Sequence, residues 1–117
     1  MMCRCVSLSV AFLSLAIVPA SAQTASSTPK QFHGVWGRDL EQCGNTGEDQ
    51  PLAIGPRFIA RYEQGWTIRR WTVGKGVWVG RGTSDDDQGS SPASVQLQLL
   101  PDGKLSFNKE VYVRCPS

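Results

Sequence analysis

The sequence predicts an all-β domain, a small antiparallel meander barrel or sandwich of about seven to eight short strands. Three observations carry that prediction. From Phe32 onward no stretch holds a 3.6-residue apolar repeat, whereas short runs rich in Val, Ile, Thr, Trp and Phe recur between Gly, Pro and Asp signals. The chain has 117 residues, room for a single domain. Two cysteines, Cys43 and Cys115, stand near the two ends of the β-rich region. A hydrophobic content of 40% with 19% charged residues is ordinary globular composition and argues against disorder along the whole chain.

The first residues follow the order of a secretory signal. Arg4 lies beside the initiator amine, Val6 to Val18 carries no charge, and Ala20-Ser21-Ala22 offers the small-x-small pattern of a cleavage site. Residues 1–22 are read as a signal peptide cleaved before Gln23, and the protein as exported, to the periplasm or the medium. The uncharged run is too short to span a bilayer, so an integral membrane protein is not expected. Cys3 and Cys5 precede the run and leave with the peptide. Removing Arg4 leaves eleven basic and ten acidic side chains, a mature net charge of about +1. That balance supplies no long-range field for nucleic acid, which is not an expected partner.

A mature chain of about 95 residues buries little more than ~60% of its extended surface and benefits from a covalent staple. In an oxidising compartment the even pair Cys43 and Cys115 reads as a disulfide. Closing a loop of roughly 70 residues stabilises by about 4 kcal/mol in the chain-entropy picture. The competing zinc reading lacks ligands, since His33 is the one histidine and the chain holds no CxxC.

Residues 23–31 are polar and turn-rich and are expected to be a flexible lead-in to a single domain over 32–117. Strands are expected near 32–39, 51–54, 56–63, 66–73, 77–83, 93–100, 104–109 and 110–115. Pro101-Asp102-Gly103 is a strong turn signal that sets Leu97 opposite Phe107 and Leu99 opposite Leu105. Val95, Leu97, Leu99, Leu105 and Phe107 then share one face. Gln64-Gly65 is read as a two-residue turn and Gly74-Lys75-Gly76 as a three-residue one. Those turns gather Phe58, Ala60, Tyr62, Trp71, Val73, Val77 and Val79 on a core face. Ile59, Arg61, Trp66, Ile68, Arg70 and Trp78 fall on the other side, with Arg69 and Arg81 opposed on the core side.

Phe32-His33-Gly34-Val35-Trp36 holds a G-x-W pattern at the start of the first long strand, and Arg114 lies just before Cys115. This arrangement resembles the lipocalin, avidin and related calycin barrels, in which the motif tryptophan closes the barrel bottom and an arginine near the last strand packs across it. The resemblance implies a structural role for Gly34, Trp36 and Arg114 and puts the first and last strands side by side. In size the chain is closer to the small exported bacterial metalloprotease inhibitors, also G-x-W barrels with one disulfide, although their cysteines lie closer together. Trp36-Gly37-Arg38-Asp39-Leu40-Glu41-Gln42-Cys43 is similar to the W-x-R-D-L-x-x-C segment of small exported proteobacterial proteins, a likeness that implies no activity.

Catalytic readings find little footing. His33 sits beside the G-x-W motif, and oxidised cysteines supply no thiolate. Glu63 and Glu110 are a conceivable carboxylate pair that no spacing singles out. Asp85-Asp86-Asp87-Gln88-Gly89 does not alternate as calcium ligands do and reads as part of a solvated loop over 84–92. No enzyme activity, metal or cofactor is expected. The expected binding surface is the outer face carrying Trp66, Trp78, Arg61, Arg70, Ile59 and Ile68, since Trp and Arg are enriched at binding hot spots and exposed apolar patches mark contacts. Gly80 and Gly82 are expected to leave open space beside Trp78. The expected function is an exported, non-catalytic module binding a protein or envelope surface, a protease inhibitor being one form of it. A binder of a small hydrophobic ligand at the barrel mouth is the alternative, and a purely structural envelope role is another. A barrel of about eight strands, filled by Trp36, Phe58, Trp71 and Phe107, has little room for a deep cavity.

Overall fold

The computed structural model describes residues 23–117. Residues 1–22, where the signal peptide is expected, with Cys3 and Cys5, lie outside the described residues. Nine strands follow in order: β1 (Thr24–Ala25), β2 (Gly34–Gly37), β3 (Leu52–Ile54), β4 (Phe58–Arg61), β5 (Gln64–Gly74), β6 (Val77–Asp86), β7 (Gly89–Leu99), β8 (Leu105–Phe107) and β9 (Glu110–Arg114). Strands β2 to β9 pair with their chain neighbours, and β9 pairs back onto β2, so eight antiparallel strands close a meander barrel. Closure leaves the ring without free ends and decides against a sandwich.

The barrel is filled by Trp36, Leu52, Ile54, Ile59, Trp66, Ile68, Trp71, Val95, Leu97, Leu105, Phe107 and Tyr112, with Phe32 closing it from below. The β7–β8 hairpin has the expected register, Leu97 opposite Phe107 and Leu99 opposite Leu105. Val95, Leu97, Leu105 and Phe107 are buried, and Leu99 emerges at the strand end.

Around β5 the expected faces change. The β4–β5 turn is Tyr62-Glu63, with Glu63 at φ 52, so Phe58 pairs with Thr67 and Ile59 with Trp66. The β5–β6 turn is Lys75-Gly76, both at positive φ, the geometry of a type I′ hairpin, and Gly74 pairs with Val77. A bulge between Ile68 and Arg70 then absorbs one residue, Arg69, and returns Ile68 to its expected partner, Gly82. Parity explains the consequence. On a regular strand Trp66 and Ile68 face one way and Trp71 the other, whereas the extra residue lets all three point inward. Ile59, Trp66 and Ile68 are therefore core residues, not parts of an open face. Phe58 and Tyr62, expected inside, stand 48% and 39% exposed. Val73, Val77 and Val79 are only half-buried.

The expected space at Gly80 is filled from within: a Cβ there would stand 2.7 Å from the Trp71 ring and 2.9 Å from Ile68. At Gly82 a Cβ would overlap the Thr67 carbonyl beside the bulge. Two further segments differ from expectation. Strands β6 and β7 continue through most of 84–92, leaving Asp87-Gln88 as the turn. The lead-in is laid against the barrel: Thr24 and Ala25 pair with Thr72 and Trp71, and the Thr28 amide donates to the Pro56 carbonyl at 2.7 Å.

Candidate ligand site at the barrel mouth

One end of the barrel is closed and the other is open. At the closed end the Arg114 guanidinium lies 4.2 Å from the Trp36 ring centre. Arg114 also donates to the His33 carbonyl at 3.0 Å and the Gln31 carbonyl at 2.8 Å, while the Trp36 indole donates to the Phe32 carbonyl at 3.0 Å. Gly34, at φ 130, leaves room for the arginine, because a Cβ there would meet Arg114 Nη1 at 3.2 Å. The His33 ring is bonded to the Thr28 carbonyl at 2.7 Å. These contacts tie the lead-in, the first ring strand and the last into one plug.

The β2–β3 connection turns back along the wall, and Cys43 in it bonds to Cys115 with Cα atoms 5.5 Å apart. Both sulfurs pack against Gly37, where no side chain would fit. Beyond Cys43 the connection reaches the open end. Its shape is held by Gln42, a buried amide whose oxygen accepts from the Arg38 amide at 2.6 Å and whose own backbone amide donates to Asp39 Oδ1 at 2.8 Å. Arg38 in turn pairs with Asp49 at 3.0 Å across the same connection.

Between this connection and the barrel rim lies a cavity of about 320 Å³, within the size range of small-molecule sites. Its lining includes Arg38, Gln42, Gln50, Leu52, Arg61, Tyr62, Glu48, Glu110 and Tyr112. Arg61, at the end of β4, sits over the core aromatics, 5.2 Å from the Trp66 ring centre and 5.9 Å from that of Phe107. Trp66 and Tyr112 each meet Phe107 edge-on, at 5.3 and 6.2 Å. The Tyr112 hydroxyl donates to Glu110 Oε2 at 2.8 Å. Burial and the bond to Glu110 push its phenol above the ordinary value, and the Arg61 charge opposes that shift. The Arg61 Nε donates to Gln64 Oε1 at 3.1 Å, but the ion pairs among the described residues are Arg38–Asp49 and Lys104–Asp102. Arg61 is thus a half-buried cation with no carboxylate paired to it.

Of the residues expected to form a binding surface, only Arg61 lies at this mouth. Ile59, Ile68 and Trp66 lie beneath it in the core, Trp78 is half-buried against that core, and Arg70 is exposed on the outer wall. Glu110 lines the cavity, while Glu63 stands in the exposed β4–β5 turn. Among the described residues no three His, Cys, Asp or Glu side chains gather as a metal site would need. In the acidic run, Asp85 accepts from the Ser90 hydroxyl and Asp86 from the Gln88 amide. Sequence reasoning missed Tyr112 and Gln42. Val111-Tyr112-Val113 does not by itself say which side faces in; the pairing of Tyr112 with Leu105 does. No family model, curated protein or solved structure matches the chain.

Proposed function

We propose that the chain is an exported, non-catalytic binding module that holds a small acidic ligand in the mouth of a calycin-like barrel. The observation that carries this reading is Arg61, half-buried in the mouth cavity without a carboxylate partner. A guanidinium offers a planar fork of donors that matches a carboxylate. Of the other charges lining the cavity, Arg38 is paired with Asp49, Glu110 accepts from the Tyr112 hydroxyl, and Glu48 is an exposed carboxylate on the β2–β3 connection. An entering acid therefore gains one cation, with the Trp66, Phe107 and Tyr112 aromatic cluster beneath it. The charged lining favours this chemistry over the small hydrophobic ligand that is the alternative reading of the sequence. The plug formed by Gly34, Trp36 and Arg114 supports the calycin-like reading, and residues 1–22 support export.

Titration calorimetry with succinate and benzoate, read beside tryptophan emission, tests the proposal. Saturable binding with a change in emission is expected, because Trp66 lies under the guanidinium. Arg61→Gln should weaken binding about tenfold or more, the worth of a charge-assisted hydrogen bond. Failure of acids of either type to bind, or equal binding by the variant, would sink the reading.

A further inference from the structure

We propose that Arg69, Arg70 and Arg81 form a second site, on the outer wall of the barrel, for a phosphate- or sulfate-bearing group. The β5 bulge creates it. Inserting Arg69 turns both Arg69 and Arg70 to solvent and sets Arg70 directly opposite Arg81 on β6. Like charges facing each other across a ladder destabilise a sheet unless a counter-charge lies between them. None of the protein's own carboxylates supplies it: among the described residues no ion pair reaches any of these three arginines.

The surface around them is shaped to receive an anion. One hollow of about 250 Å³ is lined by Arg70, Thr72 and Arg81. A second of about 240 Å³, between β1 and β5, is lined by Thr24, Ala25, Ser26, Arg69 and Arg70. Arg70 belongs to both. Three guanidinium forks with hydroxyls from Thr24, Ser26 and Thr72 make up the donor set that tetrahedral oxyanions take, and arginine binds them through paired hydrogen bonds. The near-neutral net charge gives no long-range pull, so recognition here is short-range and local. The site stands apart from the mouth and does not depend on the function proposed there.

Backbone amide NMR on the disulfide-bonded protein tests it, with inorganic pyrophosphate in one arm and phosphatidylglycerol-containing vesicles in the other. The expected result is a saturable shift confined to the amides of 24–26, 69–72 and 80–82. In R70Q/R81Q, which alters exposed side chains, binding should weaken about tenfold or more. A response to pyrophosphate identifies a soluble phosphate as a sufficient ligand; a response at the same amides to vesicles alone identifies a lipid headgroup. Non-saturating shifts scattered over the surface, no response in either arm, or equal binding by R70Q/R81Q would overturn the site.

Discussion

Arg114 and Trp36 face each other across the β2–β9 pairing that closes the barrel, guanidinium over indole at 4.2 Å. The same side chain carries two hydrogen bonds to carbonyls of the segment that precedes β2, those of Gln31 and His33. One residue near the C-terminus thereby fixes the entry of the chain into the ring. Arg114→Ala should cost about 2–4 kcal/mol, from an accessible cation–π contact and two charge-assisted hydrogen bonds that exposure to water weakens. Arg114→Lys keeps the charge and loses the fork, so it should fall between. Urea unfolding followed by tryptophan emission measures both; a stability equal to wild type for Arg114→Ala would refute the clasp.

The disulfide works on the same junction by a different mechanism. Cys43 and Cys115 are 72 residues apart in sequence, so the bond encloses most of the folded chain. Its reduction should lower stability by about 4 kcal/mol through the entropy regained by the unfolded state. Small domains have about 5–15 kcal/mol in all. Unfolding curves with and without reductant should therefore differ by a large fraction of the total, and coincident curves would contradict this account.

Gly80 has a different duty, which is to make room. A methyl group there would stand 2.7 Å from the Trp71 ring and 2.9 Å from Ile68. Gly80→Ala must displace a fully buried indole or the strand beneath it, an overpacking cost of about 1–3 kcal/mol. Loss of stability with a shifted Trp71 emission is expected. A crystal structure with Trp71 unmoved and full stability would remove the packing argument.

These contacts also show where the sequence was legible and where it was not. Pro101-Asp102-Gly103 sets the β7–β8 register because a strong turn and two alternating runs agree. Gly34, Trp36, Arg114 and the cysteine pair mark the closed end for a similar reason, each residue type having few other uses in that setting. The face of β5 was hidden, since its bulge lies within Arg69-Arg70, a pair without Gly or Pro. Glu63 adopts a positive φ while the more inviting Gly65 does not, so the preceding turn misled as well. The mouth was illegible for a third reason. Its lining converges from β4, β9 and the β2–β3 connection, and only closure of the ring brings Arg61 and Tyr112 together.

Tyr112 gives the mouth a signature in alkaline solution. Its phenol is held above the ordinary 10.0, first by burial and then by the bond to Glu110, with Arg61 opposing. The folded state therefore keeps its proton at a pH where the unfolded chain has begun to lose it. Stability from this group is fully present below pH 10 and declines as pH rises from there through the folded-state value. Tyr62 is also raised, by hydrogen bonding to and the charge of Glu63, so the comparison is best made in Tyr62→Phe. Absorbance at the phenolate band should show Tyr112 ionising later than a free tyrosine. Replacing Glu110 with Gln should bring the transition down, because it removes both the negative charge and the carboxylate acceptor while leaving Arg61 in place. A transition at the free-tyrosine position in the parent, or one unmoved by Glu110→Gln, would show that the Tyr112–Glu110 bond does not govern this end of the barrel.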